Sequence, residues 1–184
     1  KQEKSEMKTT KKKGCVSEIK VSPPITHPER VYICSPLGAE TEKEIFCNMR
    51  AAGGYAGYVI NKMQYFATAV HAYLPFFYND KIQKQRAEAL NMGMQVLKDS
   101  QILMVCGNRI SDGMKTEIEY AIKNHKEIIT FNRNVFEDVI ELVLESGEKE
   151  FNVQLNKDHP TLANAPNYSD SNEMFRLCCG FGGA

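Results

Sequence analysis

The sequence has no apolar run near the roughly 18 residues a membrane helix needs, and no signal-peptide pattern at its start, so neither a membrane span nor export is indicated. The chain starts at Lys1 without a Met, which leaves a removed leader open. Its six cysteines, Cys15, Cys34, Cys47, Cys106, Cys178 and Cys179, include no C-x-x-C pair and no regular framework, and no short-spaced Cys/His cluster offers a zinc site. Cys34, Cys47 and Cys106 fall on apolar segments, where a thiol behaves as a small hydrophobe, and the expected setting is a reducing cytoplasm. The formal net charge is zero, so no global field draws the protein to nucleic acid or acidic lipid, and neither is an expected partner. A Walker P-loop, a G-x-G-x-x-G and a G-x-S-x-G are all missing, which removes the main support for an ATPase, a dinucleotide oxidoreductase or a serine hydrolase. No internal repeat is present. No metal and no cofactor is expected.

What is present is one sizeable core's worth of apolar residues. With 184 residues, 42% hydrophobic and 25% charged, the chain suits one globular domain with tails. Residues 1–30 read as a flexible basic tail: residues 1–13 hold six Lys against Glu3 and Glu6, and Pro23, Pro24 and Pro28 precede any periodic pattern. Two readings of that tail stand, an arm that touches nucleic acid or a solvated leader, and composition favours the second. Residues 31–146 carry the α/β pattern. Residues 147–184 lose apolar periodicity and read as an extended arm or a disordered tail.

The most informative stretch is Ile102–Asn132. It predicts a buried strand (Ile102–Cys106), a polar loop (Gly107–Gly113), an amphipathic helix (Met114–His125) and a second strand (Glu127–Phe131), the βαβ unit of a parallel sheet. Upstream, Val31–Cys34 predicts a first strand ending in Ser35-Pro36-Leu37-Gly38, and Glu40–Gln64 predicts a long helix that Gly53-Gly54 could bend. Ala67–Ala72 predicts a second strand running into the aromatic loop Tyr73–Asp80, and Lys81–Lys98 predicts a further helix. Val135–Leu144 completes the pattern with a short amphipathic helix. Strands alternating with helices give an α/β Rossmann-like three-layer sandwich around a mostly parallel sheet of four to five strands. In such sheets ligands bind beyond the carboxyl ends of the strands.

That rule gathers Ser35, His71, Asp80, Arg86, Asp112 and Glu117 into one cleft. Glu117 flanks the apolar stripe Met114, Ile118, Ala121, Ile122 and His125, and reads either as a crevice carboxylate or as a solvated one near the helix N-terminus. Arg86 falls within the stripe Ile82, Ala89, Leu90, Gly93 and Leu97, where a buried guanidinium needs an anionic ligand or partner; the alternative is a structural pair or a snorkelling side chain. The aromatic loop could stack on a flat base, or pack on its own scaffold or a second subunit. His71 reads equally as a structural or a functional histidine. Asn48 is either a surface amide or a crevice contact.

The V-Y-I-C-S-P stretch at the first strand, His71 with its Tyr/Phe/Pro loop, Arg86, and S-D-G-M-x-x-E-I-x-Y-A over Ser111–Ala121 together resemble the nucleoside 2-deoxyribosyltransferase-like superfamily. They are most similar to a branch found in bacteriophages and mobile elements. The resemblance spans about Val31 to Asn132. It implies a flavodoxin-like sheet, a homo-oligomer, and retaining exchange at the sugar C1′ of a small-molecule nucleoside or nucleotide. Glu117 then matches the nucleophile, Tyr32 the residue that supports it, and Asp112 the acidic loop residue. Ser35, Pro36, Gly38, His71, Asp80, Arg86, Gly113 and Met114 are expected to bind substrate. Asp112 and Glu117 stand five apart, one fewer than in the familiar transferases, and Glu119 stands where the family has Gly. The resulting expectation is an enzyme that transfers or hydrolyses the sugar-base bond. The alternatives are a nucleotide-binding sensor or sequestering protein without turnover, and a basic-armed interaction protein.

Overall fold

The computed structural model describes residues 25–156. The expected tail through residue 24, the arm from residue 157 onward, and Cys15, Cys178 and Cys179 lie outside the described residues. The elements are β1 (Arg30–Cys34), α1 (Glu42–Tyr58), β2 (Phe66–Thr68), α2 (Gln83–Lys98), β3 (Ile102–Val105), α3 (Asp112–Lys123), β4 (Glu127–Thr130), α4 (Arg133–Ser146) and β5 (Asn152–Leu155). The strands form one sheet in the order β2-β1-β3-β4-β5, and every pairing is parallel. That is the flavodoxin-like order, with its topological switch point at β1 between β2 and β3.

Alternation along β1 builds the two cores. Val31 and Ile33 face one layer, where they meet Ala52, Tyr55 and Val59 around α1. Tyr32 and Cys34 face the other, with Leu97 of α2, Ile118 and Ile122 of α3, and Val135, Val139 and Val143 of α4. β1 and β3 are buried almost throughout, as parallel strands covered on both faces must be.

Local chemistry fixes the helix starts. Thr41 and Glu44 form a reciprocal capping box, Ser111 caps α3 by accepting from the Met114 amide, and Asn132 caps α4 through Asn134 and Val135. Gly53 and Gly54 do not interrupt α1. The helix instead runs on into a π turn, Val59–Met63, which Gln64 closes at φ 61°.

Four expectations are corrected. The second strand covers only Phe66–Thr68, because this edge strand pairs with β1 over three residues. A 3-10 turn, Val70–Ala72, then takes up the backbone through Ala72 N–H to Ala69 O and Tyr73 N–H to Val70 O, so His71 sits on a turn. α3 begins at Asp112 and ends before His125, whose φ of 51° and ring contact to Glu150 O take it off the helical stripe. Along α2 only Gly93 and Leu97 are buried, and the expected stripe residues Ile82 and Leu90 are exposed. The N-terminal half of α2 therefore overhangs a cavity instead of the sheet. Finally, Asn152–Leu155 within the expected arm forms β5, whose alternating half-burial suits an edge strand.

Candidate functional site

Beyond the carboxyl ends of β1 and β3 lies a cavity of about 660 Å³. Its floor is polar. Tyr32 leaves the sheet at the centre of β1, and its hydroxyl donates to Glu117 Oε1 at 2.7 Å across 85 residues of sequence. The apolar neighbours Met114, Ile118, Ala121 and Ile122 hold α3 against the sheet, which carries Glu117 into the interior at 4% exposure. A buried carboxylate requires donors, yet its Oε2 has no hydrogen-bond partner in the protein. His71 brings Nε2 to 3.9 Å from Oε1, while its Nδ1 is buried without a partner. The crevice reading of Glu117 is thus the one its position fits.

The surroundings constrain which groups can titrate. Burial, and next the negative charge of Glu117, raise the Tyr32 phenol far above its ordinary range. Burial, then the same charge and a side-chain hydrogen bond with Glu117, raise the Cys34 thiol well above its ordinary range. Tyr32 is therefore a lasting donor and Cys34 a lasting thiol.

α2 approaches this pair through Gly93. A Cβ there would stand 3.1 Å from Tyr32 Oη and 3.9 Å from Glu117 Oε1. A side chain there would crowd the hydroxyl, which would have to give by a few tenths of an ångström.

The upper walls come from four segments. Ser35, Leu37 and Gly38 contribute from the β1–α1 loop, Phe46 and Met49 from α1, Leu74–Lys81 from the aromatic loop, and Ser111–Gly113 from the start of α3. Ser35 is buried and its Oγ has no partner. Asn48 donates to Leu37 O at 2.9 Å, which resolves it as a buried strut of that loop. Phe76 and Phe77 stand about seven-tenths exposed at the mouth.

Of the residues expected at the site, Tyr32, Ser35, Gly38, His71, Asp80, Arg86, Asp112, Gly113 and Glu117 line the cavity. Pro36 and Met114 do not. Both are buried, and Met114 belongs to the core on the α3 side. Arg86 is not the buried guanidinium of the helical stripe: its side chain is half exposed and pairs with Asp80 at 3.8 Å. Sequence reasoning missed Glu42, Phe46 and Gly93 as wall residues. The signal for Gly93 was a glycine inside a helix, a placement that costs about 1 kcal/mol and asks for a packing reason.

Among the described residues no group of three or more His, Cys, Asp and Glu could hold a metal ion, and no helix is long and apolar enough to cross a membrane.

Residues 29–131 match the family described as Domain of unknown function (DUF7768). The match covers more than half of the chain, and the protein belongs to that family. No curated protein and no solved structure matches it.

Proposed function

We propose that this family member cleaves or exchanges the N-glycosidic bond of (deoxy)nucleosides or nucleotides through Glu117. One observation carries the reading: a buried carboxylate on a cavity wall, fixed at Oε1 by Tyr32 and left without a partner at Oε2. A covalent glycosyl-enzyme route needs a carboxylate held in place with one oxygen available to the anomeric carbon. Hydrogen bonding to Tyr32 orients the group without occupying the attacking oxygen.

The other walls suit a nucleoside. Phe46, Phe76 and Phe77 offer flat apolar surfaces for a base, and Ser35 offers an unpartnered hydroxyl beside the sugar position. Asp112 contacts sugar hydroxyls or the leaving base. Gly38 and Arg86 stand at the outer end, where a 5′ substituent would emerge. The homo-oligomer implied by the resemblance accords with Phe76 and Phe77 standing exposed at the mouth.

The test is direct. The protein is incubated with 2′-deoxynucleosides and their 5′-monophosphates, with and without a second free base, and released or exchanged base is followed by chromatography. Wild type is expected to release base, and Glu117→Gln to lose the activity by at least about a hundredfold. Binding of nucleotide without release of base would establish the sequestering protein in place of the enzyme.

A further inference from the structure

We infer that His71 is the proton-transferring catalytic residue of this cavity, giving a proton to the departing base and taking one from the incoming acceptor. The inference rests on the sugar-transfer reading above. A nucleobase leaves poorly as an anion, so a carboxylate that attacks C1′ needs a proton donor for the base nitrogen.

The other titratable groups of the cavity are unsuited to that task. Tyr32 and Cys34 are both held protonated by burial and by the charge of Glu117. Glu117 is committed to the sugar. Glu42, Lys81 and Asp112 are exposed, Tyr78 packs against the core, and Asp80 pairs with Arg86 near the surface. Imidazole is the side chain whose charged and neutral forms are both accessible near neutral pH.

Geometry points to the same residue. The His71 side chain is 16% exposed, and Nε2 lies 3.9 Å from Glu117 Oε1. Retaining pairs keep nucleophile and acid-base group about 5 Å apart, whereas inverting pairs stand wider to admit a water. A histidine kept for packing would satisfy its buried nitrogen, but Nδ1 has no partner. The 3-10 turn at Val70–Ala72 turns the ring toward the cavity instead of continuing the strand.

In the first half-reaction Glu117 Oε2 bonds to C1′ as the C1′–N bond breaks. The bonding pair stays on the base nitrogen, which receives the proton from His71 Nε2, leaving a neutral imidazole and a glycosyl ester. In the second half-reaction water or a second base loses a proton to Nε2 as its oxygen or nitrogen bonds to C1′. The C1′–Oε2 pair returns to Glu117, and both residues regain their starting states.

The experiment compares 2′-deoxyguanosine with its N7-methyl derivative, whose cationic base departs without a proton. Wild type, His71→Gln and His71→Asn are assayed on both, with circular dichroism to compare their folds. Loss of at least about a hundredfold in the single-turnover rate at which excess enzyme frees base from deoxyguanosine, with single-turnover N7-methyl release kept within about threefold in either variant, is the expected result. Equal losses on the two substrates in both variants, or no loss on either, overturn the role of His71 while leaving the glycosidic reading intact. Wild-type protein that frees no base from these two substrates or from any other 2′-deoxynucleoside or 5′-monophosphate overturns that reading and this inference with it.

Discussion

Replacing Tyr32 with Phe removes one hydroxyl from the middle of the fold and leaves the ring in place. Tyr32 is 0% and Glu117 4% exposed, so the pair is largely withdrawn from bulk water and the hydroxyl is a principal donor to the carboxylate. A hydrogen bond to a charged acceptor in such a setting contributes about 1.5–3 kcal/mol. With a denaturant slope of about 1–3 kcal/mol per molar, the urea midpoint near neutral pH should fall by about 1 M. The dependence on pH separates this effect from a packing defect. Folding raises the Tyr32 phenol far above its ordinary value of 10.0, through burial and the charge of Glu117. Above that pH the unfolded chain has released this proton while the folded chain keeps it. The stabilisation is therefore complete below pH 10.0 and declines as pH rises beyond it, by about 1.4 kcal/mol per unit. Cys34, raised in the same direction from 9.0, behaves alike in both proteins and cancels from their difference. Urea denaturation at about pH 8 and about pH 11 should show the wild-type advantage shrinking by about 1.4 kcal/mol. An advantage that stays constant across those pH values would refute the account of Tyr32 as a protonated donor to a buried carboxylate.

Gly93→Ala adds a methyl 3.1 Å from Tyr32 Oη and 3.5 Å from Val70 Cγ2. Better helix propensity, about 0.5–1 kcal/mol, should offset most of the crowding in thermal melts, while the base-release assay falls by about tenfold or more because the Tyr32–Glu117 pair shifts. Leu97→Ala, at a position with no exposure on the same helix, should destabilise by about 2–5 kcal/mol in urea titrations. Thr41→Ala removes the hydroxyl that accepts from the Glu44 amide at 3.2 Å and donates to Glu44 Oε2 at 2.8 Å, and leaves the backbone N–H of residue 41 to Glu44 Oε2 intact. It should cost about 1 kcal/mol by the same measurement, with little effect on base release.

The sheet was legible in the sequence where burial on both faces writes continuous apolar runs, as at Val31–Cys34 and Ile102–Val105. Edge strands carry no such mark. Phe66–Thr68 is too short to set a period, so the apolar residues of the following 3-10 turn were counted with it, and Asn152–Leu155 alternates polar residues as an arm would. At the cavity, Glu117 was readable because the helix period set it on the flank of a buried stripe near the strand ends, whereas Tyr32 came only from the family resemblance. Arg86 misled for the opposite reason: helical spacing finds a stripe but cannot say where the sheet beneath it stops. Leu90, on the same face as Arg86, lines the hollow, and Ile82 is exposed. Gly93 was assigned to the stripe correctly, yet its contact with Tyr32 depends on how closely two layers approach, which no local pattern records.

The order of the strands also bears on how the protein comes into being. Tyr32 leaves the ribosome 85 residues ahead of Glu117, a delay of about 4 to 17 seconds at ordinary elongation rates. For most of it β1 lacks its neighbour β3, which is made only shortly before Glu117, and until Glu117 follows its phenol has no acceptor. A nascent chain halted before α3 would present a half-built, sticky sheet to chaperones. Synthesis slowed over that interval should raise aggregation more than the same pause placed after Lys123.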